Sequence, residues 1–295
     1  MVYKSGFIGI VGRPNVGKST LMNTILEEKV AIISDKPQTT RNVIRGVYTR
    51  EDTQIIFIDT PGIHKPKNKL GEFMTDSAIR TLNEVDIILF ILDERADFGP
   101  GNEYILKLIK EIQTPKILVI NKIDKIEPDN FRQIYESYEN LDIFDEIYGI
   151  SAINEKNVEA LILKIKELLP EGPKFFPEDT LTDQHEKFLI SEIIREKTLL
   201  YLEDEIPHGI AVDIVSLKDE DDLITIKAEI YCEKKSHKGI IIGKEGRKLK
   251  GIGKSSRLEI EKLFGAKVFL ELWVKVRENW RENNSILKNF GYSNR

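Results

Sequence analysis

The chain has 295 residues, of which 41% are hydrophobic and 32% charged, and its formal net charge is -5. A chain of this length has room for two domains, and its ordinary composition excludes a chain that is disordered along its whole length. The single cysteine, Cys232, excludes an internal disulfide and the longest apolar stretch, 87–92, is too short to span a membrane, so we expect a cytoplasmic protein.

The first predicted elements are a strand over 7–11 and a helix over 19–26, separated by a glycine-containing loop. The loop fits the phosphate-binding pattern G-x-x-x-x-G-K-S/T and consists of Gly12, Arg13, Pro14, Asn15, Val16, Gly17, Lys18 and Ser19. In such loops, backbone N–H groups turn inward on nucleotide phosphates. We expect Lys18 to reach the β- and γ-phosphates and the Ser19 hydroxyl to bind Mg²⁺. The order of strand, loop and helix disfavours the alternative, a glycine turn before an unrelated helix.

Two polar segments follow that suit contacts with a bound metal and the γ-phosphate. Gln38-Thr39-Thr40-Arg41 lies between the first helix and the next strand, where one threonine can complete the Mg²⁺ shell in the triphosphate state. We favour Thr40, with Thr39 as the alternative. The strand over 54–58 ends in Asp59-Thr60-Pro61-Gly62. Asp59 is expected to hold Mg²⁺ through water, and the Gly62 N–H to contact the γ-phosphate.

The motif N-K-x-D indicates which nucleotide binds. It follows the strand over 117–120 as Asn121-Lys122-Ile123-Asp124, and open α/β sheets bind ligands at the carboxyl ends of their strands. The Asp124 carboxylate can accept hydrogen bonds from N1–H and the exocyclic amine of guanine, and a site built for those bonds rejects adenine. We expect Asn121 to brace the loops and Lys122 to lie along the base plane. Ser151-Ala152, after a strand over 146–150, are expected to contact guanine from the other side.

Strands alternate with helices through the first half, with a further strand over 85–92 and helices over 102–112 and 157–169. This alternation predicts an α/β fold with a mostly parallel sheet wrapped by helices. The five nucleotide motifs, in this order, resemble a small GTPase domain of the translation-factor-related kind. The resemblance implies a P-loop GTPase domain that binds GTP and GDP with Mg²⁺.

The predicted catalytic positions are Lys18, Thr40, Gly62 and Asn15. The residue after Gly62 departs from the Ras pattern, because Ile63 stands where a glutamine orients the attacking water. An apolar side chain cannot hydrogen-bond water, so we expect slow intrinsic hydrolysis that a partner accelerates. His64 is interpreted as a solvated loop residue rather than a substitute base. In GTPases with a similar loop, the asparagine at the position of Asn15 helps to hold K⁺; here it either does so or only stabilises the loop.

A stretch rich in proline and glycine separates the two halves. Residues 169–179 contain three prolines and a glycine, which together exclude a continuous helix. We therefore predict a GTPase domain over 1–170, a linker over 171–182 and a second domain with a C-terminal tail over 183–295.

The second domain is predicted to be an α+β type II KH domain, an RNA-binding module. Its elements read as a helix over 183–201, strands over 210–217 and 223–233, two helices and a strand over 266–276. A G-x-x-G junction between the two helices lets an RNA backbone approach closely, while basic side chains neutralise phosphates. The predicted RNA-binding residues are Ile240, Ile241, Ile242, Gly243, Lys244, Glu245, Gly246, Arg247 and Lys248. We assign Phe269 and Trp273 to core or interdomain packing rather than to base stacking, because alternating apolar residues in that strand need a buried face.

The whole chain resembles the Era family of bacterial ribosome-assembly GTPases. The resemblance rests on the phosphate loop and on the segments 39–41, 59–64, 176–179 and 243–246. It implies that the chain binds the single-stranded 3′ end of small-subunit ribosomal RNA, with the 30S ribosomal subunit as partner, and controls subunit maturation. Peripheral contact with the inner membrane is also implied, and we expect a monomer.

Nucleotide control of RNA binding is the leading functional hypothesis. Mg²⁺ and GTP would order the loops around Thr40 and Gly62, and hydrolysis would release the RNA. The alternative is a GTP-dependent regulatory switch at the membrane or in cell-cycle control, with the KH domain as a tether. A GTPase that serves transfer-RNA modification is disfavoured, because such proteins usually end in a reactive cysteine and this tail has none.

Overall fold

The structure is a computed structural model that describes residues 2–36, 38–94, 99–203, 206–220 and 223–292. Its strands are β1 (Lys4–Gly12), β2 (Ile44–Arg50), β3 (Thr53–Asp59), β4 (Ile87–Leu92), β5 (Lys116–Ile120), β6 (Glu146–Gly149), β7 (Ala211–Glu220), β8 (Leu223–Cys232) and β9 (Lys267–Val276). Its α-helices are α1 (Lys18–Leu26), α2 (Lys69–Leu82), α3 (Pro100–Lys110), α4 (Pro128–Glu139), α5 (Val158–Leu168), α6 (Glu186–Leu200), α7 (Lys235–Ile242), α8 (Arg247–Phe264) and α9 (Asn284–Asn289). None of the described helices is both long enough and apolar enough to cross a membrane.

The first half forms a six-stranded sheet in the order β2-β3-β1-β4-β5-β6. Only β2 runs antiparallel to its neighbour, and the other neighbouring strands are parallel. Every residue of β4 and β5 is buried, as expected for central strands of a sheet covered on both faces. The predicted mostly parallel sheet is therefore confirmed. Parallel strands bring the segments that follow them to one edge, and this edge carries the motifs of the first half.

The chain divides into two compact units. The first comprises the residues up to Ile33, Thr40–Lys67 and Gly71–Asp183, and the second comprises Ser34–Thr39, Asn68–Leu70 and the residues from Gln184 onward. Two short segments from the first half of the sequence thus belong to the second unit, which the linear division into 1–170, 171–182 and 183–295 does not anticipate.

The predicted linker over 171–182 packs within the first unit. The buried Gln54 side chain anchors it, because its Oε1 accepts hydrogen bonds from the backbone N–H groups of Phe175 and Phe176 at 2.8 and 3.0 Å. Further along, the Val47 N–H donates to the Leu181 carbonyl at 2.9 Å. These bonds to the backbone of the segment fix its path over the sheet.

The second unit contains the predicted order α6-β7-β8-α7-α8-β9, with a three-stranded sheet β7-β8-β9. β7 and β8 are antiparallel, whereas β8 and β9 are parallel. Alternate residues of β8 face the core, and these are Ile224, Ile226, Ala228, Ile230 and Cys232. The type II KH order predicted from the sequence is confirmed.

The other face of this sheet is open to solvent on β9. Phe269 and Trp273 are 56% and 59% exposed, so the prediction that they pack in the core is wrong. Val268 and Val274 face the core instead, where Val268 joins the same apolar cluster as residues of α8. The C-terminal tail does pack on this unit, because Trp280 is fully buried and its Nε1 donates to the Gly209 carbonyl at 3.0 Å.

Candidate functional site

The phosphate loop joins β1 to α1 and depends on its glycines. Gly17 has φ +102°, and a Cβ there would lie 2.2 Å from Nδ2 of Asn121, so no larger residue fits. Lys18 is buried within the loop, where its Nζ donates to the carbonyls of Arg13 at 2.9 Å and Gly12 at 3.3 Å. Backbone carbonyls of the loop thus hold the Lys18 ammonium in place.

Three oxygen ligands for a cation converge beside Lys18. The Ser19 Oγ donates to Asp59 Oδ2 at 2.5 Å, and Thr40 Oγ1 lies 2.9 Å from Ser19 Oγ and 3.3 Å from the same carboxylate oxygen. The other oxygen, Asp59 Oδ1, is buried and accepts no hydrogen bond from the described residues. A buried carboxylate beside two hydroxyls matches the oxygen ligands that Mg²⁺ prefers. The Thr39 hydroxyl instead donates to the Lys36 carbonyl at 2.6 Å, so the geometry favours Thr40 as the metal ligand.

The burial of Lys18 and Asp59 shifts the pKa values of both side chains. Burial lowers the pKa of Lys18 to about 8, an effect that the nearby Asp59 carboxylate opposes. Burial also raises the pKa of Asp59, against the lowering effects of Lys18 and of the hydrogen bonds from Ser19 and Thr40. Both shifts disfavour charge in this pocket. A phosphate and a divalent cation supply the countercharges that would reverse them.

The segment after β3 packs directly on the phosphate loop. A Cβ on Gly62 would lie 2.7 Å from the backbone N of Pro14, and the Ile63 N–H donates to the Gly12 carbonyl at 3.2 Å. The Ile63 side chain is only 1% exposed, so it contributes to packing. His64 is half-buried, and its Nδ1 lies 2.9 Å from the Gly62 carbonyl, which can only accept. His64 therefore lies in a loop, as predicted, but it is less solvated than expected.

The base-recognition residues are held together by hydrogen bonds between loops. Asn121 Nδ2 donates to the Val16 carbonyl at 2.9 Å, and its Oδ1 accepts from the Ala152 N–H at 3.0 Å. This is the bracing role predicted for Asn121. Ser151 Oγ donates to Asp124 Oδ1 at 2.6 Å, which orients the carboxylate predicted to read guanine. The predicted nucleotide residues thus meet at one edge of the sheet.

One residue of this edge was missed by sequence reasoning. Asp93 directly follows β4, is completely buried, and lies 3.0 Å from Lys122 Nζ through its Oδ2. It belongs to none of the motifs. An acidic residue immediately after a fully apolar strand was the available signal, because such a position lies at the ligand-binding edge of a parallel sheet.

The G-x-x-G junction of the second unit is an exposed turn between α7 and α8. Gly243 and Gly246 have φ +71° and +74°, and a Cβ on Gly246 would meet no atom within 4 Å. Lys244, Glu245 and Arg247 are exposed, and an exposed ion pair of 2.8 Å joins Arg247 to Glu245. Exposed pairs are weak, so Arg247 can exchange this partner for a phosphate.

The apolar residues before this turn differ in exposure. Ile240 is 43% exposed and Ile242 is partly buried, but Ile241 is fully buried in the core of the unit. The prediction that Ile241 contacts RNA is therefore corrected, because the helical turn of α7 points its side chain inward. Of the three isoleucines predicted to bind RNA, Ile240 and Ile242 retain accessible surface.

Family comparisons agree with this two-part organisation. The family model described as "50S ribosome-binding GTPase" matches residues 7–122, and the family model described as "KH domain" matches residues 205–281. The GTPase Era of Alkaliphilus metalliredigens is 58% identical over 294 residues, which cover 99% of this chain and 100% of that protein. The GTPase Era of Clostridioides difficile is 56% identical over 297 residues, which cover both chains completely.

Two crystal structures are similar along nearly the whole chain. One is Era in complex with MgGDPNP and nucleotides 1506–1542 of 16S ribosomal RNA, with 43% identity, a TM-score of 0.96 and coverage of 99% of this chain and 100% of the other. The second is a variant of Aquifex aeolicus Era bound to GDP and AlF4-, with 43% identity, a TM-score of 0.95 and the same coverage.

Proposed function

The chain belongs to the Era family of GTPases, and from this premise we propose that it binds the single-stranded 3′ end of small-subunit ribosomal RNA under the control of GTP. It thereby acts in the assembly of the small ribosomal subunit, with the 30S subunit as its partner. The open G-x-x-G turn carries this proposal, because its second glycine leaves space for an RNA backbone. The bound 16S fragment of the similar Era structure supports the choice of RNA.

In the first unit, GTP and GDP bind at the edge where the motifs meet. The phosphate loop encloses the phosphates, and Lys18 contacts the β- and γ-phosphates. Ser19, Thr40 and Asp59 hold Mg²⁺, which neutralises charge on the phosphate oxygens when bound. Asp124 reads the guanine base, with Asn121, Ser151 and Ala152 maintaining its loop. Of the predicted catalytic residues, Gly62 follows the metal ligand Asp59 in the same loop, and its N–H contacts the γ-phosphate.

Nucleotide control requires a link from the metal site to the RNA-binding unit. Thr40 is the residue that directly follows Ser34–Thr39, a segment that belongs to the second unit. Within that unit, the buried Arg195 pairs with Glu192 and donates a hydrogen bond to the Thr39 carbonyl. If Thr40 moves on gain or loss of the γ-phosphate, it therefore displaces the adjacent backbone of Thr39, which Arg195 of α6 binds.

The test is crosslinking and sequencing of the RNA bound to the full chain in cells, with nucleotide-state variants as comparison. We expect enrichment of the 3′ end of small-subunit ribosomal RNA. Capture of protein or lipid partners without ribosomal RNA would instead support the regulatory switch at the membrane.

We further propose that the protein is a cytoplasmic monomer. Light scattering of the purified protein in both nucleotide states tests its oligomeric state. We also propose reversible contact with the inner membrane, which sedimentation with lipid vesicles tests.

Nucleotide affinity is expected to fall at alkaline pH because of Lys18. Its pKa is lowered to about 8 by burial, and bound phosphates favour the charged ammonium, so binding must raise that pKa. Above about pH 8 the free protein therefore takes up a proton on binding, and affinity falls by up to about tenfold per pH unit. Titration calorimetry with GDP at pH 8.5 in buffers of different ionisation enthalpy measures this uptake, which should vanish at pH 6.5. Equal uptake at both values would contradict the role of Lys18.

Potassium is expected to accelerate GTP hydrolysis through Asn15. The Asn15 backbone has φ +66°, and its carbonyl accepts a hydrogen bond from Lys122 Nζ at 3.0 Å, which fixes the residue in the phosphate loop. A cation held there lies where charge develops on the β- and γ-phosphates. In single-turnover assays at equal ionic strength, we expect slow hydrolysis in NaCl, on the order of 10⁻⁴ s⁻¹, and about tenfold faster hydrolysis in KCl. Asn15→Ala should abolish the difference, and equal rates for the unmodified protein would remove potassium from the account.

A further inference from the structure

Asp93 connects the phosphate loop to the base-recognition loop. Its side chain is completely buried, with Lys122 Nζ 3.0 Å from Oδ2 and the Arg13 guanidinium 3.7 Å from Oδ1. A buried carboxylate keeps its charge only beside such partners, and removal of the carboxylate leaves the cations without theirs. One buried acid therefore holds a cation from each of two loops that meet at the nucleotide edge.

Lys122 is fixed at both ends. Its backbone adopts φ +62°, a left-handed conformation that a residue with a side chain adopts only when its surroundings impose it. At the other end, its ammonium donates to the Asn15 carbonyl and to Asp93, both at 3.0 Å. A second carboxylate, Glu94, lies 3.4 Å from the same ammonium but is one third exposed. The aliphatic part of Lys122 is thus held between the base-recognition loop and the phosphate loop.

We infer that Asp93 is a positioning residue for guanine nucleotides, which acts by fixing Lys122 in its binding arrangement. The inference rests on the proposed guanine site. Long basic side chains lose rotamer freedom when a ligand orders them, and a protein that has already ordered them binds more tightly. Because base choice depends on Asp124, Asp93 acts on the affinity for each guanine nucleotide and leaves the choice of base unchanged.

The test is the dissociation constant of fluorescent GDP and of a GTP analogue for Asp93→Asn. Loss of the buried countercharge should weaken both by about 10- to 100-fold, with faster release and an unchanged preference for guanine over adenine. Glu94→Gln is the matched control, because it removes the exposed partner of the same lysine and should change affinity by less than about threefold. Affinities of Asp93→Asn equal to those of the unmodified protein would overturn the inference.

A double-mutant cycle separates positioning from general destabilisation. If Asp93 acts through Lys122, Asp93→Asn added to Lys122→Met should weaken GDP binding by less than about threefold beyond Lys122→Met alone. A further tenfold loss would overturn the inference. The double variant keeps the test possible if Asp93→Asn alone fails to fold, because Lys122→Met removes one of the two cations that Asp93→Asn leaves without a countercharge. If the unmodified protein shows no preference for guanine nucleotides, the proposed guanine site itself is refuted. If the unmodified protein prefers guanine but Asp93→Asn leaves the affinity unchanged, only the role of Asp93 is refuted.

Discussion

Asp124→Asn is expected to convert the protein from a guanine-nucleotide to a xanthine-nucleotide binder. The carboxylate accepts from the N1–H and amine of guanine, whereas an asparagine amide can donate to the carbonyl that xanthine carries in place of the amine. Polar groups that a bound base buries without a partner cause strong discrimination, so GTP affinity should fall by at least about 100-fold while xanthosine triphosphate binds. Competition binding with the two triphosphates measures the exchange.

Ser151→Ala provides the control for this substitution. It removes the 2.6 Å hydrogen bond from Ser151 Oγ to Asp124 Oδ1 but keeps the carboxylate. One such bond to a charged group contributes about 1.5–3 kcal/mol, part of which water replaces, so affinity should fall by about tenfold without a change of base. Retained selectivity for guanine in Asp124→Asn would show that another group reads the base.

Gly246→Asp is expected to weaken RNA binding strongly while leaving the GTPase activity intact. A Cβ on Gly246 meets no atom within 4 Å, so the added side chain extends into the space that an RNA backbone would occupy. The carboxylate also repels phosphate next to Lys244 and Arg247. The dissociation constant for a short RNA with the 3′-terminal sequence of small-subunit ribosomal RNA should rise at least about tenfold, as measured by fluorescence anisotropy.

Gly265→Asp is the matched control, because Gly265 ends α8 in the same unit. It has φ +66°, close to the +74° of Gly246, and a Cβ there also meets no atom within 4 Å. Both substitutions should therefore cause the same backbone strain of about 1–2 kcal/mol, which a thermal melt reports. Equal loss of RNA binding in the two variants would assign the effect to strain and contradict a role for the G-x-x-G turn.

The nucleotide site was largely predictable from the sequence, because its chemistry lies in short segments that follow strands. The phosphate loop and Asn121-Lys122-Ile123-Asp124 each require a local backbone, and parallel strands bring such segments to one edge. Asp93 was not predictable in the same way. Its role depends on Lys122 returning to the phosphate loop through a left-handed backbone, a contact between loops that no single motif records.

The faces of the second sheet were harder to assign. On β9, Val268 and Val274 alternate with the aromatic residues Phe269 and Trp273, so both faces carry large apolar side chains. Periodicity identifies a strand but leaves open which face the helices cover. In α7, the triplet of isoleucines has the same ambiguity, and the helical period places Ile241 in the core beside the exposed Ile240. Tertiary packing decided both cases.

The division into two compact units could not be predicted fully from the sequence either. The linker composition over 169–179 placed the main boundary near Asp183, the last residue of the first unit. Ser34–Thr39 and Asn68–Leu70 join the second unit through contacts distant in sequence, such as that of the Thr39 carbonyl with Arg195. These segments flank the residues predicted to respond to the γ-phosphate, and we propose that they link the nucleotide state to RNA binding.

Control of RNA binding by the nucleotide site is tested by the RNA affinity in the two nucleotide states. The dissociation constant of the full chain for the 3′-terminal RNA is measured with a saturating GTP analogue and with saturating GDP, at one salt concentration. We predict binding at least about fivefold tighter with the GTP analogue, the lower limit of typical coupling between sites. Equal dissociation constants in the two states would contradict the account.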